Sequence, residues 1–162
     1  MAEIAGTSLH DAEPTEQQRA ADLLGGARVL RRAIRTPLDA HEVIRRGLPA
    51  QALTRLVGRL TVLGMTDGRL ERALGMSLRT YQRRKDVPAG RLSVEQSGRT
   101  WKFAEILAKA TDLLGSQPEA EQWLERPAMG LDRQRPIDLL ETPAGVEMVE
   151  DFLTQLEYGV YV

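Results

Sequence analysis

The chain of 162 residues has no cysteine, which excludes disulfides, thiolate nucleophiles and cysteine-based metal centres. Its two histidines, His10 and His41, are too few and too far apart for a histidine-based zinc site, so no metal is expected. Neither histidine stands in a recognisable arrangement with a serine or an acid, and there is no glycine-rich phosphate loop. Catalytic residues and cofactors are therefore not expected, and the chain reads as a non-enzyme. No apolar run reaches the roughly 18 residues of a membrane span. The first residues carry Glu3, Asp11 and Glu13 rather than the basic-then-apolar pattern of a signal peptide, so a soluble cytoplasmic protein is expected. Aromatic residues make up 4% against 42% for all hydrophobics, so the core must be built mainly from Leu, Val, Ile and Ala. A sustained alternating pattern is also missing, which argues against β-structure and for an all-α chain.

What is present begins with an uneven distribution of charge. The net charge is −1, yet residues 48–110 hold nine Arg and three Lys against five Asp/Glu, a net of +7. Residues 111–162 hold three Arg against eleven Asp/Glu, a net of −8, and residues 1–47 balance. A basic middle and an acidic end point to two different partners, or to halves that merely attract each other.

Helical signals run along the whole chain. Residues 1–14 are polar and read as a disordered tail. Thr15 with Gln18 resembles a capping box, followed by Ala20, Leu23 and Leu24 on one face. Val29, Leu30, Ala33 and Ile34 resume the period before Pro37, and Asp39 with Glu42 signals a further cap. Leu53, Leu56, Val57, Leu60 and Leu63 form an amphipathic stripe that opens after Leu48-Pro49 and closes at Gly64. Thr66 or Asp67 caps a short helix containing Leu70, Ala73 and Leu74. Ser93 starts a long helix to Leu114 with Phe103, Leu107 and Ala110 inside. A short helix after Pro118 carries Ala120, Trp123 and Leu124. The count is seven or eight helices with short loops, a bundle class. Residues 15–114 form one part and residues 115–162 a second.

Residues 66–85 have helix-turn-helix form: a short helix ending at Leu74-Gly75, a small turn, and a second helix capped by Ser77. In that second helix Leu78 and Tyr81 face inward. Arg79, Gln82 and Arg83 face outward, with Thr80 and Arg84 beside them. Arginine can fork onto guanine and glutamine can pair adenine, while Thr80 can hold a phosphate. Arg83, Arg84 and Lys85 can also neutralise phosphate charge without reading sequence. An ordinary solvated, arginine-rich helix is the alternative.

At the C-terminal end, Thr142 and Pro143 signal a helix start, and Val146, Val149, Leu153 and Leu156 make its apolar stripe. Glu147, Glu150 and Asp151 lie off that stripe and read as solvated. Gly159 stops the helix, leaving Val160, Tyr161 and Val162 beyond it. Such a tail either folds back on its own core or sits in another molecule.

Several stretches together resemble a known family. They are Ile44-Arg45-Arg46-Gly47-Leu48-Pro49, then Leu74 to Lys85, then Trp123-Leu124-Glu125-Arg126-Pro127. The last and most specific is Pro136-Ile137-Asp138-Leu139-Leu140-Glu141-Thr142-Pro143-Ala144-Gly145 with Glu157-Tyr158-Gly159-Val160-Tyr161. Over roughly residues 22–162 the chain resembles antitoxins of the Xre/MbcA/ParS family, partners of RES-domain toxins. The resemblance implies a type II toxin–antitoxin system in which the toxin consumes NAD or transfers ADP-ribose from it. It implies an Xre-like DNA-binding part, with Arg79, Thr80, Gln82, Arg83, Arg84 and Lys85 at operator DNA. It further implies a toxin-binding part whose Glu157, Tyr158, Gly159, Val160, Tyr161 and Val162 block the NAD site. A homodimer within a larger toxin–antitoxin complex and autoregulation of the operon are implied too. The other reading is a dimeric helix-turn-helix repressor whose acidic C-terminal part serves dimerisation or sensing, with no toxin partner.

Overall fold

The computed structural model describes residues 12–87 and 89–159. These form ten α-helices, one 3₁₀ turn and two isolated bridges, with no extended strand among the described residues. The expected all-α bundle with a helix-turn-helix part is what is found, with more and shorter helices than the periodicity had shown.

Capping chemistry fixes many of the boundaries. Thr15 and Gln18 close a reciprocal capping box on α1 (Glu16–Leu23). The helix after it, α2 (Gly26–Leu30), stops earlier than expected: Arg31 takes the left-handed conformation at φ 59°, and Ile34 reaches the core from beyond the helix while Ala33 stays exposed. The cap of α3 (Pro37–Arg46) is Thr36, three residues before the expected Asp39, which serves instead as its reciprocal partner. Backbone amides of Arg35 and Thr36 donate to the Asp39 carboxylate and hold it below the usual carboxylate range.

The amphipathic stripe that follows folds as α4 (Ala50–Arg59) and then leaves the helix at Leu60. The physical reason lies on α8 (Gln117–Glu125). Glu121 there is wholly buried and accepts the amides of Thr61 at 2.9 Å, Val62 at 2.9 Å and Leu63 at 3.0 Å. Gln117, one turn earlier, donates to the Arg59 carbonyl at 2.7 Å and to Glu121 at 3.0 Å. The α4 exit is thus held open by a carboxylate from a distant helix, and Leu63 is buried without being helical.

The centre of the molecule is α7 (Val94–Leu114), capped by Ser93 and Gln96. Helices α1, α3, α5 (Arg69–Leu74), α8 and α10 (Pro143–Glu157) all lie against it. The helix is therefore buried around most of its circumference, with Trp101, Phe103, Ile106 and Leu107 at 2% exposure or less, rather than along one stripe. Buried Ser97 accepts the Leu48 amide at 2.8 Å, tying α7 to the entrance of α4.

After α8 come the 3₁₀ turn (Met129–Leu131) and the four-residue α9 (Pro136–Leu139), too short to show a period in the sequence. α10 begins at the Thr142 cap and buries Val149 and Leu153 as its stripe requires. It crosses α9 so closely that a Cβ on Gly145 would collide with the Leu139 carbonyl, which is why glycine stands there. Glu150 is not simply solvated: it pairs with Lys102 of α7 at 2.7 Å, while Asp151 is exposed.

Candidate functional site

The helix-turn-helix consists of α5, a turn of residues 75–77 and α6 (Leu78–Asp86). Gly68, not Thr66 or Asp67, occupies the cap of α5 at φ 78°, with Asp67 accepting the Arg69 amide. Gly75 ends α5 at φ 65°, a conformation that glycine adopts without strain. A side chain there would also strike Arg99 of α7. Ser77 accepts the Thr80 amide at the start of α6. Glu71 of α5 accepts the Leu78 amide at 2.9 Å, so the two helices are locked at the turn.

That lock sets which way α6 presents its side chains. Leu78 and Tyr81 are half-buried against the core, as expected from their spacing. Burial pushes the Tyr81 phenol above its ordinary value, so it stays protonated at working pH. Arg79, Gln82, Arg83 and Lys85 are exposed, and Thr80 and Arg84 are half-buried beside them. The Thr80 hydroxyl is engaged by Ser77 at 3.0 Å. The Nε of Arg84 is buried without a hydrogen-bond partner among the described residues.

The ion pairs bear on both explanations of the charge asymmetry. Arg72–Asp138, Lys102–Glu150 and Lys109–Glu157 do join the basic middle to the acidic end. None of the cations of α6 takes part in an ion pair among the described residues. Internal attraction thus consumes part of the charge and leaves the outward face of α6 available for polyanion contact.

The second site lies at the far end of α10. Tyr158 caps that helix and is 75% exposed, so its ring does not fold back on the core. Glu157 and Gly159 are exposed beside it, and Val160, Tyr161 and Val162 lie outside the described residues. Lys109 holds Glu157 at 3.5 Å and Thr154 at 2.9 Å, fixing the last turn to α7. Sequence reasoning did not single out Met129 and Met148, which are 77% and 38% exposed in the same C-terminal part. The first lies on the 3₁₀ turn that contacts α10, where Trp123 and Phe152 stack with centroids 6.0 Å apart.

Between the two sites runs a joint that no local pattern announces. Arg99 of α7 donates to the Arg72 carbonyl of α5 at 2.8 Å and to the Glu141 carbonyl at 3.0 Å, one residue before the α10 cap. Beside it, Arg72 and Asp138 approach to 3.7 Å across α5 and α9.

An all-α framework with an exposed basic second helix behind a glycine turn defines a helix-turn-helix DNA-binding protein, here joined to a C-terminal helical part with its own exposed end. Comparison with known proteins gives the family. The antitoxin Xre-like helix-turn-helix domain matches residues 39–105, and the antitoxin Xre/MbcA/ParS C-terminal toxin-binding domain matches residues 109–159. An Xre antitoxin of Yersinia enterocolitica is 36% identical over 91 residues, 56% of this chain and 61% of that relative. An Xre antitoxin of Pseudomonas putida is 30% identical over 123 residues, 75% of this chain and 72% of that one. A Prs ADP-ribosylating antitoxin of a Sphingobium species is 28% identical over 137 residues, 78% of this chain and 82% of its own length. The chain belongs to the Xre/MbcA/ParS family of antitoxins. Its first helix-turn-helix helix and α6 both fall within the DNA-binding match, and α8 to α10 with Tyr158 fall within the toxin-binding match. No helix of the described residues is long and apolar enough to cross a membrane.

If Arg79 or Arg83 reads a base, its replacement by alanine weakens operator binding by about 1–3 kcal/mol. A gel-shift titration of Arg79→Ala and Arg83→Ala against the chain's own upstream DNA measures this. Unchanged midpoints for both variants would remove α6 from the role of base reader.

Proposed function

We propose that this antitoxin neutralises a RES-domain toxin that consumes NAD or transfers ADP-ribose from it, by laying residues 157–162 against the toxin's NAD cleft. In the same reading, residues 15–114 bind operator DNA through Arg79, Thr80, Gln82, Arg83, Arg84 and Lys85, and the protein represses its own operon. It acts in the cytoplasm as a homodimer inside a larger complex with the toxin, and has no catalytic activity of its own.

The observation that carries the toxin-blocking half is Tyr158, an aromatic anchor held in solvent at the end of a helix whose opposite face is buried. Occlusion of a cleft requires rigid aromatic area rather than catalytic groups, and tyrosine supplies it at low entropic cost. The acidic surface around α10, with Glu147, Asp151 and Glu157 exposed, suits approach to a cleft that attracts an anionic cofactor. The name of the Sphingobium relative, which carries ADP-ribosylation, agrees with NAD chemistry in the partner.

The test is co-purification of the intact chain with the product of the adjacent gene, followed by an NAD-consumption assay of that product. The expected outcome is a stable complex in which NAD loss is suppressed. A product that consumes no NAD, or that consumes it equally fast in the complex, would overturn the mechanism.

A further inference from the structure

Beyond the C-terminal end of α6 the chain turns back along α4. The Gly90 carbonyl accepts the Ala50 amide at 2.8 Å, the Leu48 carbonyl accepts the Leu92 amide at 2.8 Å, and Pro49 and Arg91 form an isolated bridge. Arg91 donates from its Nη1 to the Gly47 carbonyl at 2.8 Å, which holds the guanidinium itself at the rim while its remaining N–H groups stay open to a further acceptor. This leaves an open recess of about 560 Å³ lined by Val29, Arg31, Pro49, Gln51, Ala89 and Arg91. Ala89 stands three residues after Asp86, the last residue of the second helix-turn-helix helix, whose final turn carries Arg83, Arg84 and Lys85.

Two features set this recess apart from ordinary surface. Its charged lining is of one sign: two arginines and no acid. Neither Arg31 nor Arg91 has an ion-pair partner among the described residues, although Arg32, next in the chain, is committed to Asp39 and Glu42. Arg31 is moreover an exposed, left-handed residue terminating α2, with its neighbours Val29 and Leu30 buried. A non-glycine residue with positive φ is uncommon, and here it is an exposed arginine.

We infer that this recess is a second DNA contact, in which Arg31 and Arg91 clamp a backbone phosphate of the duplex beside the groove occupied by α6. Arg31 precedes the region matched by the helix-turn-helix family, residues 39–105, whereas Arg91 lies within it, so one half of the clamp is supplied from outside that domain. The recess contains no group suited to a base edge within a groove apart from Gln51, and its arginines supply charge on a fixed loop. It therefore adds affinity and register without sequence preference. The inference rests on the DNA-binding reading above and is tested separately from it.

The experiment is a fluorescence-anisotropy titration of the full chain with two labelled duplexes, the DNA upstream of its own gene and a random sequence of equal length, across 50–200 mM salt. Arg31→Gln is compared with the unmodified chain and with Arg133→Gln, another exposed arginine in the left-handed conformation, at φ 60°, placed in the C-terminal part. Arg31→Gln is expected to weaken binding to both duplexes by the same factor, roughly three- to tenfold, and to lower the salt slope by about 0.9. Arg133→Gln is expected to change neither, which also controls for net charge. If the unmodified chain binds neither duplex, the DNA-binding reading itself falls. If it binds and Arg31→Gln leaves the salt slope unchanged, or weakens only the upstream duplex, the phosphate clamp is overturned while that reading stands.

Discussion

Replacing the wholly buried Glu121 with alanine lowers the unfolding free energy by about 3–4 kcal/mol, a large effect for one carboxylate in a chain with so many acids. Its carboxylate accepts three consecutive amides, the Thr61 hydroxyl and the Gln117 side chain. Alanine leaves the Leu63 amide buried without an acceptor and strips charge-assisted bonds from Thr61 and Val62. Buried donors left unpaired cost about 1–3 kcal/mol each, more than the partly exposed ones beside them. Glutamine keeps one oxygen but turns an amide N–H₂ toward donors, so Glu121→Gln is expected to fall between alanine and the original. Urea unfolding followed by circular dichroism measures both. A loss under about 1 kcal/mol for Glu121→Ala would mean that water replaces the carboxylate at the α4 exit.

Removing residues 157–162 is expected to abolish neutralisation while leaving the fold and DNA binding in place. α10 keeps its buried Val149 and Leu153 without them. The lost Lys109–Glu157 pair is half-exposed and contributes less than about 1 kcal/mol. Aromatic anchors at interface centres are commonly worth about 2 kcal/mol or more each, so loss of Tyr158 and Tyr161 reduces affinity by a factor on the order of a thousand. Co-expression of the truncated chain with its toxin should arrest growth that the full chain permits. Full protection by the truncated chain, with a normal gel shift, would place the inhibitory contact elsewhere on the C-terminal part.

The features legible in the sequence were those written in local chemistry. The reciprocal cap at Thr15, the Ser93 start of α7, the Ser77 start of α6, the glycine turn at 75 and the inward spacing of Leu78 and Tyr81 all follow from residues within one or two turns of each other. The exposure of Tyr158 was a choice left open, because an apolar stripe says which face is buried but not where a terminal ring goes. What stayed hidden depends on chain separations of tens of residues. Glu121 looked like one more member of an acidic segment, and only the approach of α8 to residues 61–63 makes it an interior acceptor. Nothing near Arg99 in the chain marks it, because the carbonyls it joins come from α5 and the α10 entrance. The short α9 and the early end of α2 were missed because four or five residues carry too little periodicity to be seen.

The two family matches meet between residues 105 and 109, inside an unbroken helix that both halves use as a wall. Hybrids that join the operator reader of one relative to the toxin binder of another at that border would cut α7 in the middle of its Phe103–Leu107 layer and mismatch both sets of neighbours. Recombination of specificities within this family is therefore expected to succeed by resurfacing, exchanging the outward residues of α6 or of the α10 end on a constant interior, and to fail as exchange of whole halves.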